Sequence, residues 1–237
     1  MKSAIVALSF LTRLPVPRIS AGPDDYSRAI RWFPLAGLAV GLTVTGAAWL
    51  GQRHDPWAGA LLAVLAWTAI TGALHLDGLG DIADAAGAAH NDRARLSAVL
   101  ADPHIGSFGV VTIVLQLAAK LVLLALAIAK APVWPLILIP ALARIGPLAW
   151  SLLLPPIHAG MGTSFRAGAN WPAVGLWLLV LGAGSLSLAP ALLAGLLAIP
   201  AWASWLQRRI SGISGDGHGA GIELTETVLL ATWLFLA

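Results

Sequence analysis

Long apolar runs free of ionised side chains are what most narrow the folds open to this chain. Trp57 to Leu76 contains no Asp, Glu, Lys or Arg, and residues 172 to 206 stay apolar for 35 positions. About 20 such residues cross the hydrocarbon of a bilayer as a helix. Inside lipid the backbone must satisfy its own hydrogen bonds, which leaves helices or closed barrels. Only 11% of the 237 residues are charged, against about 25% in soluble domains, and mean hydropathy is +0.83. The sequence therefore predicts an all-α, polytopic integral membrane bundle, one membrane-embedded domain over residues 1 to 237.

Spans are expected over Trp32 to Leu50, Trp57 to Leu76, Ser107 to Ala129 and Val133 to Leu154. The 172 to 206 stretch is too long for one span and should divide near Ser185 to Pro190. Glu223 to Phe235 begins polar and ends apolar, as a last, partly embedded helix would. That makes six or seven membrane segments. Residues 3 to 14 are too short to cross. They run at once into Arg13, Pro15, Pro17 and Arg18 with no small-residue cleavage site, so they read as an interfacial helix kept in the mature chain. A short amphipathic helix is predicted over Asp92 to Ala101, stopped by Pro103, with polar loops over residues 155 to 170 and 208 to 221.

With no cysteine, disulfides, thiolate metal sites and a cysteine nucleophile are excluded. A pI near 10 would suggest nucleic acid in a soluble protein. Here membrane topology and anionic lipid or substrate account for the basic residues, and no nucleic acid partner is expected. With the N-terminus inside, Lys2, Arg13, Arg18, Arg28, Arg31, Arg93, Arg95, Arg166, Arg208 and Arg209 share the cytoplasmic side, and Arg53 and Lys130 the other. This asymmetry sets the orientation and puts nearly every acid on the cytoplasmic face.

Those acids carry the chemistry. Asp77, Asp81 and Asp84 end the Trp57 to Leu76 run and fall within about 60° of one helical face. Like charges on one stripe repel, and a hard divalent cation such as Mg²⁺, which takes carboxylate oxygens, would relieve them. The plain alternative is a solvated helix end. A second cluster lies among five glycines between positions 212 and 221, where Gly215, Asp216 and His218 are followed by Glu223 and Glu226. Glycines let the backbone approach a phosphate. Asp216 and Glu223 are candidate metal ligands and Gly215 and His218 candidate substrate contacts; a helix cap is the alternative, above all for Glu226. Arg144 and Lys120 interrupt apolar spans, where charge faces a cavity or a partner. Arg144 is the better candidate to grip a phosphate or a carboxylate, since Lys120 snorkels more easily. Asp102, His104, Gly106 and Ser107, ahead of the third span, are candidate substrate contacts, and His75 is either buried packing or support for the stripe. The set suits phosphoryl transfer, which depends on positioning and charge neutralisation around Mg²⁺.

Several blocks resemble the cobalamin synthase family: Phe10-Leu-Thr-Arg-Leu-Pro, Phe33-Pro-Leu-Ala-Gly, Gly72-Ala-Leu-His-Leu-Asp-Gly-Leu-Gly-Asp-Ile-Ala-Asp, Asp102 to Gly109, Ser214-Gly-Asp and Gly219-Ala-Gly-Ile-Glu-Leu. They follow the same order over most of the chain. The resemblance implies an adenosylcobinamide-GDP ribazoletransferase: a hydroxyl of α-ribazole, or of its 5′-phosphate, attacks the phosphate joined to cobinamide and GMP leaves. It also implies Mg²⁺ dependence and the inner membrane of a bacterium or archaeon, with a homo-oligomer open. By position, Asp77, Asp81 and Asp84 match the family's acidic motif, and Asp216 and Glu223 its later glycine-rich motif. Asp84 is left as a ligand or as the base. The family usually has Ala at Gly80, Thr at Ile82, Gly at Ala85, Ser-Arg at Pro103-His104, and Thr at Ser107 and Ser214. Histidine for arginine at position 104 weakens any fixed phosphate clamp there. Two rivals fit less well. A CDP-alcohol phosphotransferase needs Asp-Gly-x-x-Ala-Arg, where this chain has Asp77-Gly-Leu-Gly-Asp. A cation or proton transporter would hold its acids near the bilayer midplane.

Overall fold

A computed structural model describes residues 1–88, 104–157 and 161–236. The expected 92–101 helix and Asp102 lie outside the described residues. In chain order the helices are α1 (Lys2–Leu11), α2 (Pro23–Ala29), α3 (Phe33–Gly51), α4 (Pro56–Thr71), α5 (Leu74–Ala88), α6 (Ser107–Ile128), α7 (Ile139–Ala143), α8 (Ile145–Leu153), α9 (Met161–Gly168), α10 (Trp171–Leu188), α11 (Leu192–Gly195), α12 (Ala198–Arg209) and α13 (Gly215–Leu236). Among the described residues there is no strand.

Among the described residues five helical stretches are long and apolar enough to cross a membrane: Pro23–Gly51, Ser107–Ile128, Trp134–Leu153, Trp171–Leu188 and Gly215–Leu236. The pair α4 and α5 makes a sixth if counted as one broken span. Among the described residues the number is thus five or six, meeting the expected six or seven at six. The 172 to 206 run does break after Leu188, but α11 and α12 are each too short to cross. The N-terminal helix is short and apolar, and buries Val6, Ala7 and Leu11.

Local chemistry sets the helix ends. Asp55 caps α4 by accepting from the N–H groups of Trp57 and Ala58, with Pro56 in the first turn. Asn170 caps α10 through the Ala173 N–H. At the far end of α4, Gly72 and Ala73 take left-handed φ of 61° and 59°, and α5 leaves at 86° to α4. The helix expected to continue into the acidic stripe therefore stops, and the stripe rides on a helix of its own. Two further segments read as polar loops are helical: residues 161–168 form α9, and α13 begins at Gly215, inside the glycine-rich stretch.

The core runs through all of these elements. α3 and α4 form a hairpin, and α5 lies against both α6 and α13. Gly37 and Gly41 on α3 bring its backbone against Ala141, Pro140 and Ile137, where no side chain would fit.

Candidate active site

Close backbone packing of α5 on α13 joins the two acidic motifs. A Cβ at Gly78 would lie 2.8 Å from Asp216 Cα, and one at Gly219 would lie 3.3 Å from His75 Cα. Residues 75 to 78 and 216 to 219 therefore touch through glycine. Asp77 is exposed and Asp81 and Asp216 are half-buried. Asp77, Asp84 and Asp216 all stand near enough to Asp81 to act on it as like charges. Asp77, Asp81 and Asp216 offer hard oxygen donors on one edge, a set that fits Mg²⁺. Among the described residues no group of three or more His, Asp or Glu already stands at ligating distances.

Asp84 belongs to the same stripe but is engaged differently. It is 8% exposed, and its two oxygens accept from the N–H of Gly106 at 2.7 Å and of Gly109 at 2.9 Å. These are orphan donors at the start of α6, so Asp84 caps that helix from outside and sits at the positive end of its dipole. Gly106 is thereby used as a donor to Asp84. Ser107 and His104 are exposed nearby.

Glu223 is not gathered to the aspartates. It is 3% exposed and lies 2.7 Å from Lys120 Nζ, while Gln116 Nε2 donates to its carboxylate at 2.9 Å. Lys120 also meets Glu226 at 2.7 Å, and Arg144 Nη1 reaches the other oxygen of Glu226 at 3.0 Å. Two cations and two anions close on one another in the interior, with Lys120 stacked over the Trp67 ring at 4.3 Å. Arg144 is fully buried and also donates to the Pro140 carbonyl at 2.8 Å. It grips a carboxylate, one of its two expected partners, and is closed to phosphate. Glu226, for which the sequence favours a cap, joins this network through both its oxygens. The signal was there in Lys120 and Arg144, which needed two anions, and in acids spaced by three on one helix.

A cavity of about 170 Å³ opens beside the acidic edge. Asp77, Gly215 and Asp216 line it together with Phe10, Phe33 and Phe165. The three rings pack on each other with centroids 5.3 to 6.1 Å apart. His75 and His218 are two further walls. His218 is buried, stacks on Trp150 and lies 3.5 Å from Ser151 Oγ. The aromatic set comes from α1, α3 and α9, distant in sequence from either acidic motif, and no spacing rule links them.

Comparison with known proteins adds an independent finding. A family model described as cobalamin-5-phosphate synthase matches residues 3–234. An adenosylcobinamide-GDP ribazoletransferase of Novosphingobium aromaticivorans is 51% identical over 234 residues, covering 97% of this chain and 95% of its own. Proteins of that name from Thiobacillus denitrificans and Laribacter hongkongensis are 49% and 50% identical, each over 97% of this chain and 94% and 95% of their own. No solved structure matches.

Proposed function

The chain belongs to the cobalamin-5-phosphate synthase family, and from that membership we infer that it is an adenosylcobinamide-GDP ribazoletransferase of cobalamin nucleotide-loop assembly. A ribose hydroxyl oxygen of α-ribazole, or of its 5′-phosphate, bonds to the phosphorus on the cobinamide side. The bond from that phosphorus to the bridging oxygen breaks, and GMP departs with the electron pair. The observation that carries the site is the glycine contact setting Asp216 against the helix of Asp77 and Asp81.

Asp77, Asp81 and Asp216 are the residues that would hold Mg²⁺. When bound, the ion supplies charge neutralisation on the diphosphate and on the departing GMP. The hydroxyl proton passes to a carboxylate oxygen of this cluster, and Asp77, exposed at the cavity mouth, hands it on to water. Asp84 is a positioning residue: it ties the start of α6 to the acidic helix. Glu223, Glu226, Lys120 and Arg144 hold α6, α13 and the α7–α8 break together behind the site. His104 and Ser107, exposed on the edge of Asp84, are the candidates left to meet phosphate oxygens. The excess of Lys and Arg on this side supports a cytoplasmic edge, in the inner membrane of a bacterium, where the nucleotide substrate and GMP are soluble.

The test is Mg²⁺-dependent GMP release by the purified protein from adenosylcobinamide-GDP and α-ribazole. Asp77→Asn and Asp216→Asn should each lose nearly all turnover while staying folded. Full activity in either variant removes that residue from the site, and no release by the native protein removes the function.

A further inference from the structure

We propose that the cavity beside Asp77 and Asp216 is the seat of the heteroaromatic base of α-ribazole, with His75 Nε2–H donating to the base's free ring nitrogen. This rests on the transferase reading and specifies which substrate enters where.

Size is the first argument. The cavity measures about 170 Å³, and an apolar cavity of roughly 150 Å³ takes benzene. The cavity is open where Asp77 is exposed, so it can seat the flat end of one aromatic ring system, and it has no room for a corrin macrocycle. Its walls decide between the two flat bases in the reaction. Phe10, Leu11, Phe33, Phe165 and Ile222 form its apolar end, and Asp77, Asp216 and His218 stand on its polar side. Guanine carries several donors and acceptors, and at the apolar end, away from Asp77 and Asp216, stripping each of water without a partner costs about 1–3 kcal/mol. Dimethylbenzimidazole, the base of α-ribazole, carries one free acceptor nitrogen, two methyl groups and no donor on its ring. It suits the aromatic end of the cavity, where rings meet its methyl groups and its one acceptor needs one N–H.

His75 is that donor. It is 2% exposed, and its Nδ1 lies 3.4 Å from Arg144 Nη2. Guanidinium has donors and no acceptor, so Nδ1 presents its lone pair to Arg144 and the proton sits on Nε2. Among the described residues Nε2 has no partner. An orphaned buried N–H is costly, and this one belongs to a ring that forms a wall of the cavity. Arg144 is itself held by Glu226 and the Pro140 carbonyl, so the tautomer is set from behind. Two residues after His75, Asp77 stands exposed at the mouth, with Asp216 beside it. A base seated against His75 leaves its ribose at the acidic edge, where the attacking hydroxyl is needed.

The experiment compares α-ribazole with its dimethylindole analogue, in which the free ring nitrogen is a C–H. Binding of each to the full-length protein in nanodiscs is measured by calorimetry, without Mg²⁺ or the cobinamide substrate. The native protein should bind the indole about 10-fold more weakly, the worth of one buried hydrogen bond. In His75→Phe the two ligands should bind alike, and His75→Gln, which keeps an N–H, should restore part of the preference. Phe165→Ala should weaken both equally and keep the preference. Equal binding of the two ligands by the native protein overturns the proposal, as does a preference that survives in His75→Phe or competition by GMP. If His75→Phe fails to fold, the native comparison alone decides. GMP release with no ring-nitrogen preference sinks the base seat and leaves the transferase standing; no GMP release and no α-ribazole binding sinks both.

Discussion

Asp84 differs from its neighbours because its oxygens already serve two backbone N–H groups. Its loss should therefore look structural. Asp84→Ala leaves both donors unpaired, and charge-assisted bonds of this kind contribute about 1.5–3 kcal/mol each. We expect a clear fall in thermal midpoint together with lower turnover, whereas Asp77→Asn should lose turnover at an unchanged midpoint. Thermal unfolding beside the GMP-release assay separates the two roles. The sequence showed three aspartates on one helical stripe and could not show this difference, since the partners of Asp84 lie 22 and 25 residues away. Glu223 lies away from the aspartates for a related reason. Sequence order put it near Asp216, but seven residues along α13 carry it into the interior, where Lys120 waits.

At the scale of elements, the site depends on two glycines where a side chain is costly. Gly72 has φ of 61° at the end of α4, with the Arg13 side chain packed against it. Gly72→Ala should lower stability by about 1 kcal/mol through the left-handed strain, read as a lower thermal midpoint. At Gly78 a Cβ would lie 2.8 Å from Asp216 Cα, and backbone cannot swing aside. Gly78→Ala should push α5 off α13 and cost most of the GMP release, with a smaller effect on unfolding. Both positions also explain what was hard to read. The Thr71-Gly-Ala break carries no proline, so the apolar run seemed continuous. The 212 to 221 stretch looked like a loop because each glycine disfavours a helix by about 1 kcal/mol; contact with α5 outweighs that penalty. The long spans were legible because apolar length alone decides them.

At the scale of the whole molecule, the four buried charges sum to zero and pin α6, α13 and the α7–α8 break to one another. Removing one partner from such a set costs about 3–5 kcal/mol, because a charge is left unpaired in the interior. Lys120→Met should thus unfold far more readily than Arg53→Met at the exposed turn, as thermal melting in detergent would report. Restoring neutrality with Lys120→Met and Glu223→Gln together should recover part of the loss.

The bend after α4 has a further consequence for the surrounding lipid. α4 has 16 residues, about 24 Å of helix, against a hydrocarbon core of about 30 Å. The acidic helix thus starts below the level at which a full-length span would surface, and the bilayer beside it must thin or admit water there, at a modest cost per ångström of mismatch. Lipid thickness then becomes a control on catalysis. Turnover should fall as acyl chains are lengthened across a series of nanodiscs, with the bulk concentrations of both substrates held fixed.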